Sequence, residues 1–340
     1  MTPAIFGISG LALTPDERAF FKEADPAGYI LFARNCETRE QLRRLTDDLR
    51  EIHGRDRLIV SIDQEGGRVV RMKPPEWPRY PAGEAFAKLF EIAPASAIEA
   101  ARVNAEAMAR ELALAGISVD YHAPFDVRRP ETDNVIGDRA LGSEPMQVAA
   151  LGRAVLDGMG RAGVVGCLKH MPGHGRATVD SHKELPRVTA TAEELAVDIE
   201  PFRTLHAHPL GMSAHIVFTA WDAQNPATLS QTVIRDIIRG AIGFDGLLLT
   251  DDIDMEALDG TIPERAERAM AAGCDIVLNC WARIDDMAGI ADRCGTLSAK
   301  GAERLERVLA MMGDPADAIE TRELLAKRDA LLALVEEAAA

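Results

Sequence analysis

The chain has 340 residues, 47% hydrophobic and 27% charged, and its 38 Lys and Arg against 54 Asp and Glu leave a formal charge of −16. Such an excess repels phosphate backbones and anionic lipid, which excludes a general nucleic-acid or membrane-surface binder and leaves room only for a local basic pocket. Five scattered cysteines without a CxxC pair, no basic start to the N-terminal apolar stretch, and no apolar run approaching about 18 residues lead to the expectation of a cytoplasmic protein with neither a disulfide framework nor a membrane span.

Short apolar runs recur along the chain at Ala4–Ile8, Gly28–Phe32, Leu58–Ile62, Ile117–Tyr121, Val164–Leu168, Gly211–Ala214, Leu247–Thr250 and Cys274–Leu278. Most are continuous rather than alternating, as parallel strands covered on both faces must be. Amphipathic, Ala-rich stretches lie between them, and the pattern predicts helices at Arg39–Glu51, Ala97–Leu114, Met146–Arg161, Glu193–His206 and Glu264–Ala271. Thr38, Ser96 and Thr191 precede three of these as helix-start signals, and Thr191 stands three residues ahead of Glu194.

Eight strands with helices between most of them predict an α/β fold, a single (β/α)8 barrel spanning 1–340, with residues from about 300 onward as peripheral helices. A doubly wound sheet would need a glycine fingerprint after its first strand, and Gly7-Ile8-Ser9-Gly10 does not supply one. Two stretches are irregular: the Pro-rich segment Lys73–Pro81, expected to cover a barrel mouth, and the loop Pro172–Pro186.

In a parallel barrel the chemistry collects at the C-terminal strand ends. Five successive runs end in ionisable groups: Asp63 with Glu65 and Arg68, Asp120 with His122, Lys169 with His170, then His215, then Asp251 with Asp252. Any one of these could merely cap the following helix, but their joint occurrence at one end marks an active site. In the loop after the fifth run, Asp180 and His182 are spaced so that the carboxylate could orient the imidazole for proton transfer, or could simply cap a turn beside a solvated histidine. A zinc site from His122, His170, His174, His182, His215 and Asp251 is the weaker reading. HExxH is absent, and the one HxH pair, His206 and His208, sits at a predicted helix end.

Asp63-Gln64-Glu65-Gly66-Gly67-Arg68-Val69-Val70-Arg71 resembles the D-Q-E-G-G-R-V-x-R segment of glycoside hydrolase family 3, and Lys169–His182 resembles its K-H-F-P-G-H-G-x4-D-S-H loop as found in bacterial β-N-acetylhexosaminidases. Asp133–Arg139 and Thr250–Met255 resemble two further family segments. The resemblance implies a one-domain barrel that removes terminal β-linked N-acetylglucosamine with retention, acting on 1,6-anhydro-muropeptides in peptidoglycan recycling. It implies Asp251 as nucleophile, His182 as acid/base, Asp180 as its partner, and Asp63, Arg71, Arg139, Lys169 and His170 as the sugar-holding set. No metal or organic cofactor is implied; the expected partner is a small saccharide, bound by a monomer. Met171 and Asp254 depart from the family pattern, in place of Phe and Ser. A β-glucosidase-type activity, a metal-dependent barrel hydrolase and a non-catalytic muropeptide sensor are the competing readings.

Overall fold

Apolar runs with no polar alternation are stable only where both faces are covered, and in the computed structural model, which describes residues 1–315 and 319–339, they form parallel strands. In chain order these are β1 (Thr2–Gly7), β2 (Pro26–Leu31), β3 (Ile59–Ile62), β4 (Val119–Asp120), β5 (Leu168–Met171), β6 (Arg187–Val188), β7 (Leu210–Ser213), β8 (Val217–Phe218), β9 (Leu247–Asp252) and β10 (Ile276–Asn279). Eight of them form one parallel sheet in the order β4-β3-β2-β1-β10-β9-β7-β5, and β6 pairs with β8 as a separate ribbon. The two sheet edges meet through the bridges Val119–Val165 and Pro124–Lys169. At this seam Asp120 N–H donates to Val165 C=O at 3.0 Å and Cys167 N–H to His122 C=O at 3.1 Å, which closes the barrel.

All eight predicted runs take part, with shifted ends. β4 shrinks to two residues, and β5 begins where its predicted run stops, because the seam pairs through single bridges rather than a regular ladder. β9 continues to Asp252, since backbone pairing does not end where side chains become charged.

Side chains alternate across each strand. Ile5, Ile30, Ile59, Val119, Tyr121, Cys167, Leu210, Met212, Leu247, Leu249, Ile276 and Leu278 fill the barrel interior, while Ala4, Phe6, Tyr29, Leu31, Val60, Leu168, Leu248 and Val277 pack outward under the helices.

The predicted helices are present at Arg39–His53, Pro94–Leu114, Pro145–Arg161, Ala192–Thr204 and Ile262–Ala272. Thr38 caps the first, and Thr191 forms a capping box with Glu194. Ser96 is not a cap: that helix starts two residues earlier at Pro94, whose missing N–H costs nothing at the first helical position. Helices at Pro15–Ala24, Gly83–Ile92 and Ile284–Cys294, and a π-helical segment at Val233–Ala241, are additional. Thr14 forms a capping box in which its side chain accepts from Glu17 N–H at 3.1 Å and its own N–H donates to Glu17 at 2.9 Å.

The C-terminal region divides in two. The helix Ala299–Met311 covers the N-terminal mouth, where Leu305, Val308 and Met312 join the interior cluster. Arg304 there binds Asp245 at 2.6 Å and Asp275 at 2.9 Å, both just ahead of strands. The helix Thr321–Leu332 instead lies outside, against Pro94–Leu114, with Arg328 donating to Asn104 at 3.2 Å. Among the described residues no helix is long and apolar enough to cross a membrane.

Leu305 is 3% exposed inside that cluster. Leu305→Ala is predicted to cost about 2–5 kcal/mol in urea unfolding, as for a core leucine. A loss below about 1 kcal/mol would mean that the helix does not close the barrel.

Candidate active site

The inward parity of the strands carries beyond their apolar part. Two residues past Ile30, Cys167, Leu249 and Leu278 come Phe32, Lys169, Asp251 and Cys280, and four past Ile59 comes Asp63. All five line a cavity of about 190 Å³ at the C-terminal mouth, together with Arg68, Arg71, Arg139, His170, His174, Ser181, His182 and Asp252. The structure thus brings together seven of the eight site residues that the family resemblance implies, and the eighth, Asp180, bonds to His182.

Three cations and two carboxylates interlock on one side. Buried Glu65 receives both Arg139 Nε and Nη2 at 2.7 Å and Lys169 Nζ at 2.7 Å. Burial alone would raise the Glu65 carboxyl, but Arg139 and Lys169 hold it well below its usual range. Lys169 also donates to Asp63 Oδ1 at 3.2 Å, and Arg71 reaches Asp63 Oδ2 at 3.4 Å. Arg71 lies over the Phe32 ring at 5.2 Å, and its Nε–H has no partner among the described residues. Glu65 lies inside the quoted motif, yet nothing in the spacing marks it as the counter-ion of Arg139, 74 residues away.

On the β9 side, two adjacent carboxyls are driven in opposite directions. Burial would raise Asp251, but His170, His215 and the Asp252 N–H bring it down to about 2, so it is ionised. Burial and the neighbouring Asp254 push Asp252 well above the usual carboxylate range, so it retains its proton far longer. Asp254 itself turns to β10, accepting from Asn279 Nδ2 at 2.9 Å, Cys280 N–H at 2.8 Å and Trp281 N–H at 3.0 Å. The departure from Ser is therefore absorbed in holding the strand end. Met171, the other departure, is buried over Gly211, where a Cβ would meet its Cε at 2.3 Å.

His170 presents its Nδ1 to Asp126 Oδ2 at 2.8 Å, which leaves Nε2 for the cavity it lines. Asp126, fully buried, also accepts the N–H groups of His170 at 3.3 Å and His174 at 2.6 Å. It stands four residues beyond His122 and carries no sequence signal of its own. In the loop beyond β5, His182 bonds through Nδ1 to Asp180 Oδ1 at 2.8 Å. Burial of Asp180 is outweighed by bonds from the His182 backbone and ring, which hold its carboxyl below the usual value. His182 lines the cavity yet is 62% exposed in its side chain, so it occupies the rim.

Asp120, His122 and His215, also at strand ends, lie behind the cavity wall. Asp120 accepts from Gln64 N–H at 2.9 Å, and His215 bonds Thr228 at 2.9 Å and the Asp252 carbonyl at 3.0 Å. His206 and His208 lie past the end of their helix and bond backbone carbonyls, those of Arg203 and Gly166. Among the described residues no set of three or more His, Cys, Asp or Glu could hold a metal ion.

The chain matches the glycosyl hydrolase family 3 N terminal domain over residues 8–311. A beta-hexosaminidase of Alkalilimnicola ehrlichii is 38% identical over 283 residues, covering 82% of this chain and 80% of its own length. Another from Chromobacterium violaceum is 37% identical over 311 residues, covering 90% and 86%. Among solved structures, NagZ from Neisseria gonorrhoeae in complex with N-trifluoroacetyl-D-glucosamine superposes with a TM-score of 0.84 at 31% identity, over 100% of this chain and 98% of that one. A β-N-acetylglucosaminidase from Paenibacillus sp. gives a TM-score of 0.85 at 29% identity over 97% of this chain and 67% of that one.

The opposed carboxyls make a prediction about stability. A carboxyl lowered by folding contributes stability that is present above its unfolded value of about 4 and lost as pH falls through the folded one. A raised carboxyl weakens the fold as pH climbs above about 4. Measured by urea unfolding, the stability of Asp251→Asn relative to the parent should worsen from pH about 3 to 7, and that of Asp252→Asn should improve over the same range. Parallel profiles for the two variants would refute the opposed assignment.

Proposed function

The chain belongs to glycosyl hydrolase family 3 and is a glycosidase of the β-hexosaminidase type, and from that premise we propose that it removes terminal, non-reducing β-linked N-acetylglucosamine with retention of configuration. The observation that carries this reading is that Asp251 and His182, the latter bonded through Nδ1 to Asp180 at 2.8 Å, line one cavity at the C-terminal mouth. Retaining hydrolysis needs a carboxylate nucleophile and a group that can first give and then take a proton.

In the proposed reaction Asp251 attacks the anomeric carbon while His182 Nε2–H protonates the departing oxygen, so the C–O bond breaks as the Asp251 ester forms. Neutral His182 then accepts a proton from water, whose oxygen attacks the same carbon and releases Asp251. Asp180 holds the His182 tautomer and steadies its cationic form. Asp63 and His170 Nε2 accept from sugar hydroxyls, and Lys169 and the Arg71 guanidinium supply donors. Most of the Arg139 fork is committed to Glu65, so Arg139 contributes a fixed edge rather than a mobile hand.

A cavity for one sugar, ringed by charged clamps and few aromatics, suits an exo-acting enzyme. The acylated glucosamine bound by the Neisseria relative supports an N-acyl pyranose in this position. The natural substrate we propose is a 1,6-anhydro-muropeptide, handled in the cytoplasm by a monomer during cell-wall recycling.

Asp251→Ala is predicted to lower kcat/KM on an aryl β-N-acetylglucosaminide by about a thousandfold or more, and Asp252→Asn by no more than about tenfold, because only the first removes a charge used in the transition state. Equal losses would unseat Asp251 as nucleophile. Proton NMR of the earliest product should show the β-anomer, and an α-anomer would rule out retention. A β-glucoside turned over as fast as the N-acetylglucosaminide would favour β-glucosidase activity instead.

A further inference from the structure

The loop that carries His182 is held unevenly. Its first part is locked down: Asp126 takes the His174 N–H at 2.6 Å, Asp133 N–H donates to Ala177 C=O at 2.9 Å, and a Cβ on Gly175 would stand 1.9 Å from the Val127 carbonyl oxygen. Its exit is locked too, where Val217 N–H donates to Pro186 C=O at 3.0 Å beside the β6–β8 ribbon. Between these anchors Thr178, His182, Lys183 and Glu184 are exposed, and Asp180 is only partly covered. Ser181 is the exception, only 3% exposed between half-covered Asp180 and exposed His182. Its hydroxyl reaches His174 Nε2 at 3.2 Å, and His174 Nδ1 has no partner among the described residues, so Ser181 alone orients the polar edge of that ring.

We propose that the Ser181–His174 bond is the pin that docks the acid/base loop against the barrel, with Asp126 as the positioning residue that fixes the socket. Ser181 stands between Asp180 and His182, so where its hydroxyl is held decides where the imidazole of His182 points. Asp126 serves two elements at once, because it also orients His170 at 2.8 Å. A sugar that engages His170 Nε2 therefore loads the same carboxylate that seats His174, which ties occupancy of the cavity to docking of the loop. His174 is pushed down to about 4 by burial and by His170, so it serves as a neutral hydrogen-bonding group rather than a second acid.

This inference rests on His182 as the proton donor, and the test separates the two claims. Ser181→Ala, Ser181→Thr and His182→Ala are each assayed for kcat/KM on two aryl β-N-acetylglucosaminides, one with an activated dinitrophenolate leaving group and one with a phenolate that needs protonation. Loss of one hydrogen bond corresponds to about 3- to 10-fold. Ser181→Ala should lose that much on the phenyl substrate and less than about twofold on the activated one. Ser181→Thr, which keeps a hydroxyl, should restore the parent behaviour. A purely structural serine would lower both substrates alike. If His182→Ala shows the leaving-group split and Ser181→Ala does not, the pin is wrong while the acid assignment stands. If His182→Ala itself shows no split, the acid assignment fails and the pin falls with it.

Discussion

The buried carboxylate of Glu65 is the interaction on which the rest of this site depends. It stands just beyond β3 and binds Arg139, from the turn Gly137–Arg139 between β4 and β5, and Lys169, from β5 itself. These segments meet where the barrel is least regular, since β4 has two residues and the β4–β5 seam closes by isolated bridges. Removing one member of a buried pair of this kind costs about 3–5 kcal/mol, because the remaining charge is stranded in low dielectric. The same contacts give the site its preorganisation: cations already fixed by Glu65 need not reorganise when a sugar arrives. Asp63 and Arg71, less buried and less fully paired, are left to face the ligand.

The remaining electrostatics follow from burial. Burial, with Lys169 and Arg139 nearby, pushes His122 down to about 4, and burial with His170 nearby pushes His174 down to about 4. His174 acts as a neutral hydrogen-bonding group in the wall, through Nε2 to Ser181 at 3.2 Å, while His122 lies behind it. Asp251 and Asp252 divide through the same physics. One is surrounded by histidine rings and a backbone donor, the other is subject to burial and a second carboxyl, and adjacent residues of one type are pushed in opposite directions. Strand parity places the ionised one inward, on the line of Leu247 and Leu249.

Much of the fold was legible in the chain. The eight strand runs, five helices and the Thr38 and Thr191 starts are local patterns, decided by spacing within a few residues. The helix Pro15–Ala24 carries competing signals in sequence: Thr14-Pro15-Asp16 reads equally as a terminator or as a helix start, and the Glu17 carboxylate returning to the Thr14 N–H distinguishes them. The charged strand ends were legible as a group, but not their division into cavity wall and cavity lining. His215 and Asp120 look as functional in sequence as Lys169, and only their bonds to Thr228 and Gln64 N–H place them behind the wall. Asp126 and the locking role of Glu65 carried no periodic or motif signal, because each is defined by partners tens of residues away.

By itself, the sequence determined the barrel class, the acidic background, the end of the barrel at which chemistry collects and the residue types gathered there. Those properties depend on contiguous spacing and on the two-residue alternation of strands, which a linear chain records directly. The tertiary structure alone decided which carboxyl is lowered and which raised, which cations are clamped by Glu65, and that the helix Ala299–Met311 seals the barrel. Protonation and burial are set by whatever distant segments bring within a few ångströms, and that proximity exists only once the sheet has closed on itself.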